Sequence, residues 1–119
     1  MLDHIGLRTK KFEALVDFYE TCLKPLGCSK VGSYEGGVGF GKNGGAAVLW
    51  IGTSKEAPSS VHLCFDSPTR TAVDAFYKAA IDKGAKDNGK PGIRYGESYY
   101  AAFVIDPDGN NIEAVCRRT

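Results

Sequence analysis

The chain is poor in the signals that mark membrane, nucleic-acid or disulfide chemistry. It has no long apolar run, so no membrane span is expected. Its 15 Lys and Arg are scattered among 14 Asp and Glu, for a net charge of +1. Without a basic face or basic run, nucleic acid is not an expected partner. There are only four cysteines, Cys22, Cys28, Cys64 and Cys116. None forms a CxxC, and their spacing is not that of a zinc finger. Met1-Leu2-Asp3 leads straight into a patterned segment, which predicts no signal peptide. The expectation is a cytoplasmic protein with reduced thiols. The glycines between Gly32 and Gly45 are followed by no GK[ST], which excludes a phosphate loop. No GxSxG is present, so a nucleophile elbow is excluded as well. Histidine is the scarcest of the catalytic residue types, with two copies, His4 and His62.

What is there is a repeat. Asp3-His4-Ile5-Gly6-Leu7 aligns with Val61-His62-Leu63-Cys64-Phe65 at an offset of 58 residues. The same offset places Leu15 on Val73, Phe18-Tyr19 on Phe76-Tyr77, and Leu23 on Ile81. With 119 residues the chain suits one domain with a real core, built from two modules at about 1–55 and 59–119. Each module reads as a strand, a helix and then three strands. Leu2 to Arg8 alternates as a strand. Phe12, Leu15, Val16, Tyr19, Cys22, Leu23 and Leu26 form a helical stripe, stopped by Pro25 and Gly27. Ala46 to Gly52 is a strand, and Thr53 to Ser59 is the linker. In the second half Ser67-Pro68 resembles a helix start, and Gly84 a helix stop. Lys86 to Ser98 reads as loop and absorbs about seven extra residues. Tyr99 to Ile105 and Asn111 to Cys116 are strands joined by the turn Asp106-Pro107-Asp108-Gly109, whose residue types are turn chemistry first.

A sheet packed on helices sends its apolar side chains to the helix side. That assigns Ile5, Leu7, Leu49, Ile51, Leu63, Phe65, Ile112 and Ala114 to the core. Parity then turns His4, His62, Val48, Trp50 and Glu113 to the other face. Tyr99 and Phe103 share parity with each other and line the same face. Two histidines, a carboxylate and aromatic rings suit a ligand site better than an open surface. Cys64 shares the His62 face, but no nucleophilic role is assigned to it. Arg117 and Arg118 are nearby cations for Glu113.

Four segments, Leu2–Leu7, Phe18-Tyr19, Val61-His62-Leu63 and Phe103–Glu113, resemble the vicinal oxygen chelate superfamily. It includes glyoxalase I, extradiol dioxygenases and bleomycin-resistance proteins. The Asp-Pro-Asp-Gly-Asn turn followed by Ile112-Glu113 is the most specific part. The resemblance covers essentially the whole chain. It implies an α+β fold of two βαβββ modules forming a cupped eight-stranded mixed sheet. It also implies a metal centre with ligands on the first and last strands of each module, positions that match His4, His62 and Glu113. The fourth position falls on Val48, which cannot bind a metal, so the glyoxalase I set of four ligands is not expected. Two histidines and a carboxylate suit Fe(II) with open coordination positions, and Mn, Ni or Zn fit the same donors.

Two functions follow as expectations. One is a metal-dependent lyase, isomerase or dioxygenase whose small substrate chelates the ion through neighbouring oxygens, with the general base unidentified. The other is a non-enzymatic binding or resistance protein that holds an aromatic drug or metabolite among Val48, Trp50, Tyr99 and Phe103. A homodimer is expected, because the superfamily often pairs or swaps such modules between chains.

Overall fold

The periodicities of the sequence become a repeated βαβββ unit in the structure, a computed structural model that describes residues 2–118. Met1 and Thr119, the outer ends of the two expected modules, lie outside the described residues. The first module runs β1 (Ile5–Thr9), α1 (Phe12–Leu23), β2 (Cys28–Tyr34), β3 (Gly37–Lys42) and β4 (Leu49–Thr53). The second runs β5 (His62–Asp66), α2 (Arg70–Asp82), β6 (Lys86–Ile93), β7 (Tyr100–Ile105) and β8 (Asn111–Cys116). Each module is a four-stranded mixed sheet, in the orders β1-β4-β3-β2 and β5-β8-β7-β6. The first strand of each module pairs in parallel with its last. The α+β class and the two βαβββ modules are therefore as expected. The eight strands stay in two sheets, and β1 and β5 are both edge strands.

Helix α1 packs on β2 and β4, helix α2 on β6, β7 and β8, and the two helices on each other. A single core cluster forms there. It draws Leu15, Phe18, Tyr19 and Leu23 from α1, Val73, Phe76 and Ala80 from α2, and Ile51, Val104 and Ile112 from the sheets. Helix burial takes the inner face of each sheet and leaves the other face outward. Gly27 and Gly84 adopt positive φ at the helix ends, where a left-handed residue closes the last turn.

Two local expectations are corrected. The cap of α2 is Thr69, whose Oγ1 accepts from the Ala72 amide, not Ser67. Ser67 Oγ instead donates to the Thr69 carbonyl. Lys86–Ile93 is a strand, although its Gly and Pro content reads as loop. It is an edge strand paired only with β7, and its register breaks at Asp87/Gly89 and Gly89/Gly92. Such breaks let an edge strand carry Gly and Pro.

The modules are joined by polar contacts as well as the core. The Tyr19 hydroxyl of α1 donates to Asp106 Oδ2 at 2.6 Å, and both residues are buried. Asp106 also accepts from the amides of Asp108 and Asn110 and from Asn110 Nδ2. The turn therefore does two jobs: it reverses the chain and holds the second module against α1. Burial and the Asp106 carboxylate push the Tyr19 hydroxyl pKa well above its ordinary value.

Candidate functional site

Alternation along β5 and β8 brings two predicted site residues together on the outward face of the second sheet. Cys64 is the ladder partner of Glu113, and Phe103 of β7 partners Glu113 from the other side. His62 Nε2 lies 3.1 Å from Glu113 Oε2. The other ring nitrogen, Nδ1, lies 2.9 Å from the Asn111 carbonyl, an acceptor that assigns the proton to Nδ1. Tyr99 donates its hydroxyl to the second carboxylate oxygen, Glu113 Oε1, at 2.5 Å. The ring of Phe103 stacks on that of His62, with centroids 6.3 Å apart. Although Glu113 faces outward, it is only 3% exposed. Neither Arg118, which lies near Asp66, nor Arg117, which lies over the Tyr99 ring, forms an ion pair with Glu113 among the described residues.

This pair passes a chemical test for a metal ion. Two donors bound side by side at about 2.0–2.2 Å from one ion stand roughly 3 Å apart, the spacing found here. A ligating imidazole commonly donates its other N–H to a carbonyl or carboxylate, which fixes the tautomer. Asn111 provides that acceptor. The Tyr99 bond leaves Oε2 as the carboxylate oxygen turned toward His62.

Tyr99 and Cys64 feel the same carboxylate. Its hydrogen bond to Glu113, then burial, pushes the Tyr99 hydroxyl up to about 12. Burial first, then the Glu113 charge, pushes the Cys64 thiol up to about 12. The reactive thiolate is therefore scarce at neutral pH even though Cys64 is an exposed residue. Alkylation of Cys64 by iodoacetamide is expected to keep accelerating with pH beyond 9 and to level off only near 12. Glu113→Gln removes the charge that, after burial, holds the proton on sulfur, so the rate at pH 8.5 should rise. A wild-type rate that levels off near pH 9 would contradict this placement of the thiol. All four cysteines are unpaired.

The other predicted residues sit on the first sheet. His4 immediately precedes β1, is exposed, and has Nδ1 2.7 Å from Asp3 Oδ1. Among the described residues no group of three His, Cys, Asp or Glu is arranged to hold a metal. One chain thus brings His62 and Glu113 together and leaves His4 outside that pair. Val48 immediately precedes β4 and is exposed. Trp50 lies across glycines: a Cβ on Gly39 would stand 2.8 Å from its ring, and one on Gly32 would stand 3.0 Å from it. The ring of Tyr34 lies over Gly37 and reaches within 5.6 Å of the Trp50 ring centroid.

Sequence reasoning missed Tyr34 and the Asn111 carbonyl. The glycine pattern at Gly32, Gly37 and Gly39 was the available signal for the aromatic floor, since small residues mark where rings lie on a sheet.

Two paired βαβββ modules define a class by fold, the glyoxalase-like proteins. Residues 1–114 match the profile of the Glyoxalase/Bleomycin resistance protein/Dioxygenase superfamily, and the chain belongs to that family. The chain is similar to a glyoxalase/bleomycin resistance protein from Albidiferax ferrireducens T118, with 26% identity, TM-score 0.82 and 97% of each chain covered. It also shares its fold with a glyoxalase/bleomycin resistance protein/dioxygenase family enzyme from Burkholderia phytofirmans PsJN, at 20% identity, TM-score 0.72 and 94% of each chain. A glyoxalase-related enzyme from Fulvimarina pelagi is a third, at 18% identity and TM-score 0.71, covering 97% of this chain and 86% of that one. No curated protein matches the sequence. No helix among the described residues is long and apolar enough to cross a membrane.

Proposed function

We propose that this chain is a metal-dependent enzyme acting on a small substrate that chelates the ion through neighbouring oxygens, and that it works as a homodimer in the cytoplasm. The observation that carries the reading is the His62 Nε2–Glu113 Oε2 pair at 3.1 Å, with Nδ1 turned to the Asn111 carbonyl. His62 and Glu113 would hold the ion, and His4 of a second copy would complete the set. Two features support that assembly. The strands β1 and β5 are edges with unpaired ladder groups, and His4 and His62 stand just before and at the start of them. Between the modules, a cleft of about 800 Å³ runs along Leu7, Arg8, the 53–59 linker and Asn110. Pairing of the β1 edge of one copy with the β5 edge of another would join two outward faces into one cup.

When bound, a divalent ion supplies Lewis-acid stabilisation of an oxyanion, or a dioxygen site if it is iron. The chain's own residues do the rest. Tyr99 holds Glu113 in one orientation, Asn111 fixes the His62 tautomer, and Phe103 supports the imidazole ring. Val48 stands at the fourth position and leaves it to water or substrate. Titration with Mn²⁺, Fe²⁺, Ni²⁺ and Zn²⁺ should give about one ion per chain. Binding should be lost in His62→Ala and in Glu113→Ala and tightened in Val48→Glu. Light scattering should give about 26 kDa, twice the chain mass of 12.8 kDa. Unaltered metal affinity in Glu113→Ala, or a 13 kDa particle, would reject the reading.

A second reading is favoured by one observation, the Trp50–Tyr34 floor beside the exposed Val48. It is a non-enzymatic binder of an aromatic drug or metabolite. Binding of aromatic compounds unchanged by EDTA and by His62→Ala would select it.

A further inference from the structure

The outward face of the second sheet carries two guanidinium groups without an acidic partner among the described residues. Arg94 lies with its Cζ 5.8 Å from the centroid of Phe103, the ring that stacks on His62. Arg117 lies with its Cζ 4.7 Å from the centroid of Tyr99, the residue bonded to Glu113. Neither forms an ion pair among the described residues. Glu113 is engaged by Tyr99 and His62, and Asp66 lies 3.9 Å from Arg118. The face therefore has a surplus of positive charge at its two aromatic walls.

Space for Arg94 is built into the strand beneath it. A Cβ at Gly92 would stand 2.9 Å from its NH1, and one at Gly89 would stand 3.4 Å from its NH2 and 2.9 Å from the Phe103 ring. Gly89 also has φ +154, a conformation side chains rarely adopt. The guanidinium is oriented by bonds from NH2 to the Lys90 carbonyl at 2.6 Å and from NH1 to the Ile93 carbonyl at 3.4 Å. Arginine has five N–H donors, so donors remain for a ligand. A planar guanidinium held on an aromatic face and short of a counterion is a receptor for carboxylate or phosphate oxygens.

We infer that the ligand of the His62–Glu113 site is a small organic anion, with an oxyanion group received by Arg94 and its charge balanced further by Arg117. This rests on the reading of that site as the ligand site and adds the class of ligand. Benzoate and phenyl phosphate serve as probes, with benzamide as the neutral counterpart of benzoate. They are titrated into the full chain in EDTA, with His62 and Phe103 ring resonances followed by NMR. Benzoate or phenyl phosphate should bind with a Kd below about 10 mM, weakening with salt, while benzamide should not bind. Preference between the two anions identifies carboxylate or phosphate as the native group. Arg94→Gln should weaken the anion by about tenfold to a hundredfold, and Arg94→Lys by less. Gly92→Ala, which keeps the charge and displaces the guanidinium, should also weaken it. This variant carries the test if Arg94→Gln fails to fold by thermal melting. Benzamide binding as well as benzoate, no anion binding at all, or an affinity unmoved in the folded Arg94 and Gly92 variants would overturn the inference. Because these titrations exclude metal, anion binding without metal binding would fail only the metal reading. Metal binding without an Arg94-dependent anion would fail only this inference.

Discussion

Refolding His4→Ala chains together with Glu113→Ala chains is expected to restore metal binding that neither variant shows alone. Each homodimer lacks one ligand in every cup. In a mixed dimer one cup combines the intact His4 of one chain with the intact His62 and Glu113 of the other. The second cup lacks both. Random pairing makes half the dimers mixed, so about a quarter of the wild-type sites should reappear. The effect is large because removing a charged carboxylate or an imidazole from three protein ligands leaves too few to hold the ion. A single chain pairs His62 with Glu113 and leaves His4 outside them among the described residues. A site completed within one chain would give no recovery on mixing. Isothermal titration with Mn²⁺ before and after co-refolding distinguishes the two.

Asp106→Ala should be among the most destabilising substitutions in the chain. It strips a buried carboxylate that receives four donors: the Tyr19 hydroxyl, two backbone amides and the Asn110 side-chain amide. Each buried group left without a partner costs about 1–3 kcal/mol, so a loss of about 3–5 kcal/mol in urea unfolding is expected. Tyr19→Phe removes one bond and leaves the carboxylate its other three donors, so about 1–2 kcal/mol is expected. In the double mutant the Tyr19 change should add little, because its partner is already gone. The sign of the pH effect follows from the raised Tyr19 pKa. A group that holds its proton more tightly when folded stabilises the protein below its unfolded pKa, near 10, and this contribution is lost as the phenol ionises at higher pH. Alkaline unfolding should therefore begin above about pH 10 and be less steep in Tyr19→Phe. A melting temperature unchanged in Asp106→Ala would show that the turn does not join the modules.

What depends on local pattern was legible in the order of residues alone. Apolar spacing in Phe12–Leu23 and around Val73–Ile81 placed the two helices, and the offset between His4 and His62 revealed the repeat. Strand parity set which side chains leave the core, and it was right for His62, Glu113, Trp50, Tyr99 and Phe103. Such features are legible because each is decided within a few residues of itself. The strand β6 was not legible, since an edge strand bonded on one side tolerates the Gly and Pro that elsewhere signal a loop. Nor could parity say what shares a site. It sends His4, His62 and Glu113 outward alike, but outward from which sheet, and toward what, depends on how the modules dock. Packing of α1 on α2 and the bond from Tyr19 to Asp106 decide that docking, through residues 87 positions apart. The tertiary structure alone also decided that Tyr99 grips Glu113, that Asn111 sets the His62 tautomer, and that Arg94 lies over Gly89 and Gly92. These contacts arise where neighbouring strands meet in register, and that register is set by burial of the whole sheet against its helix.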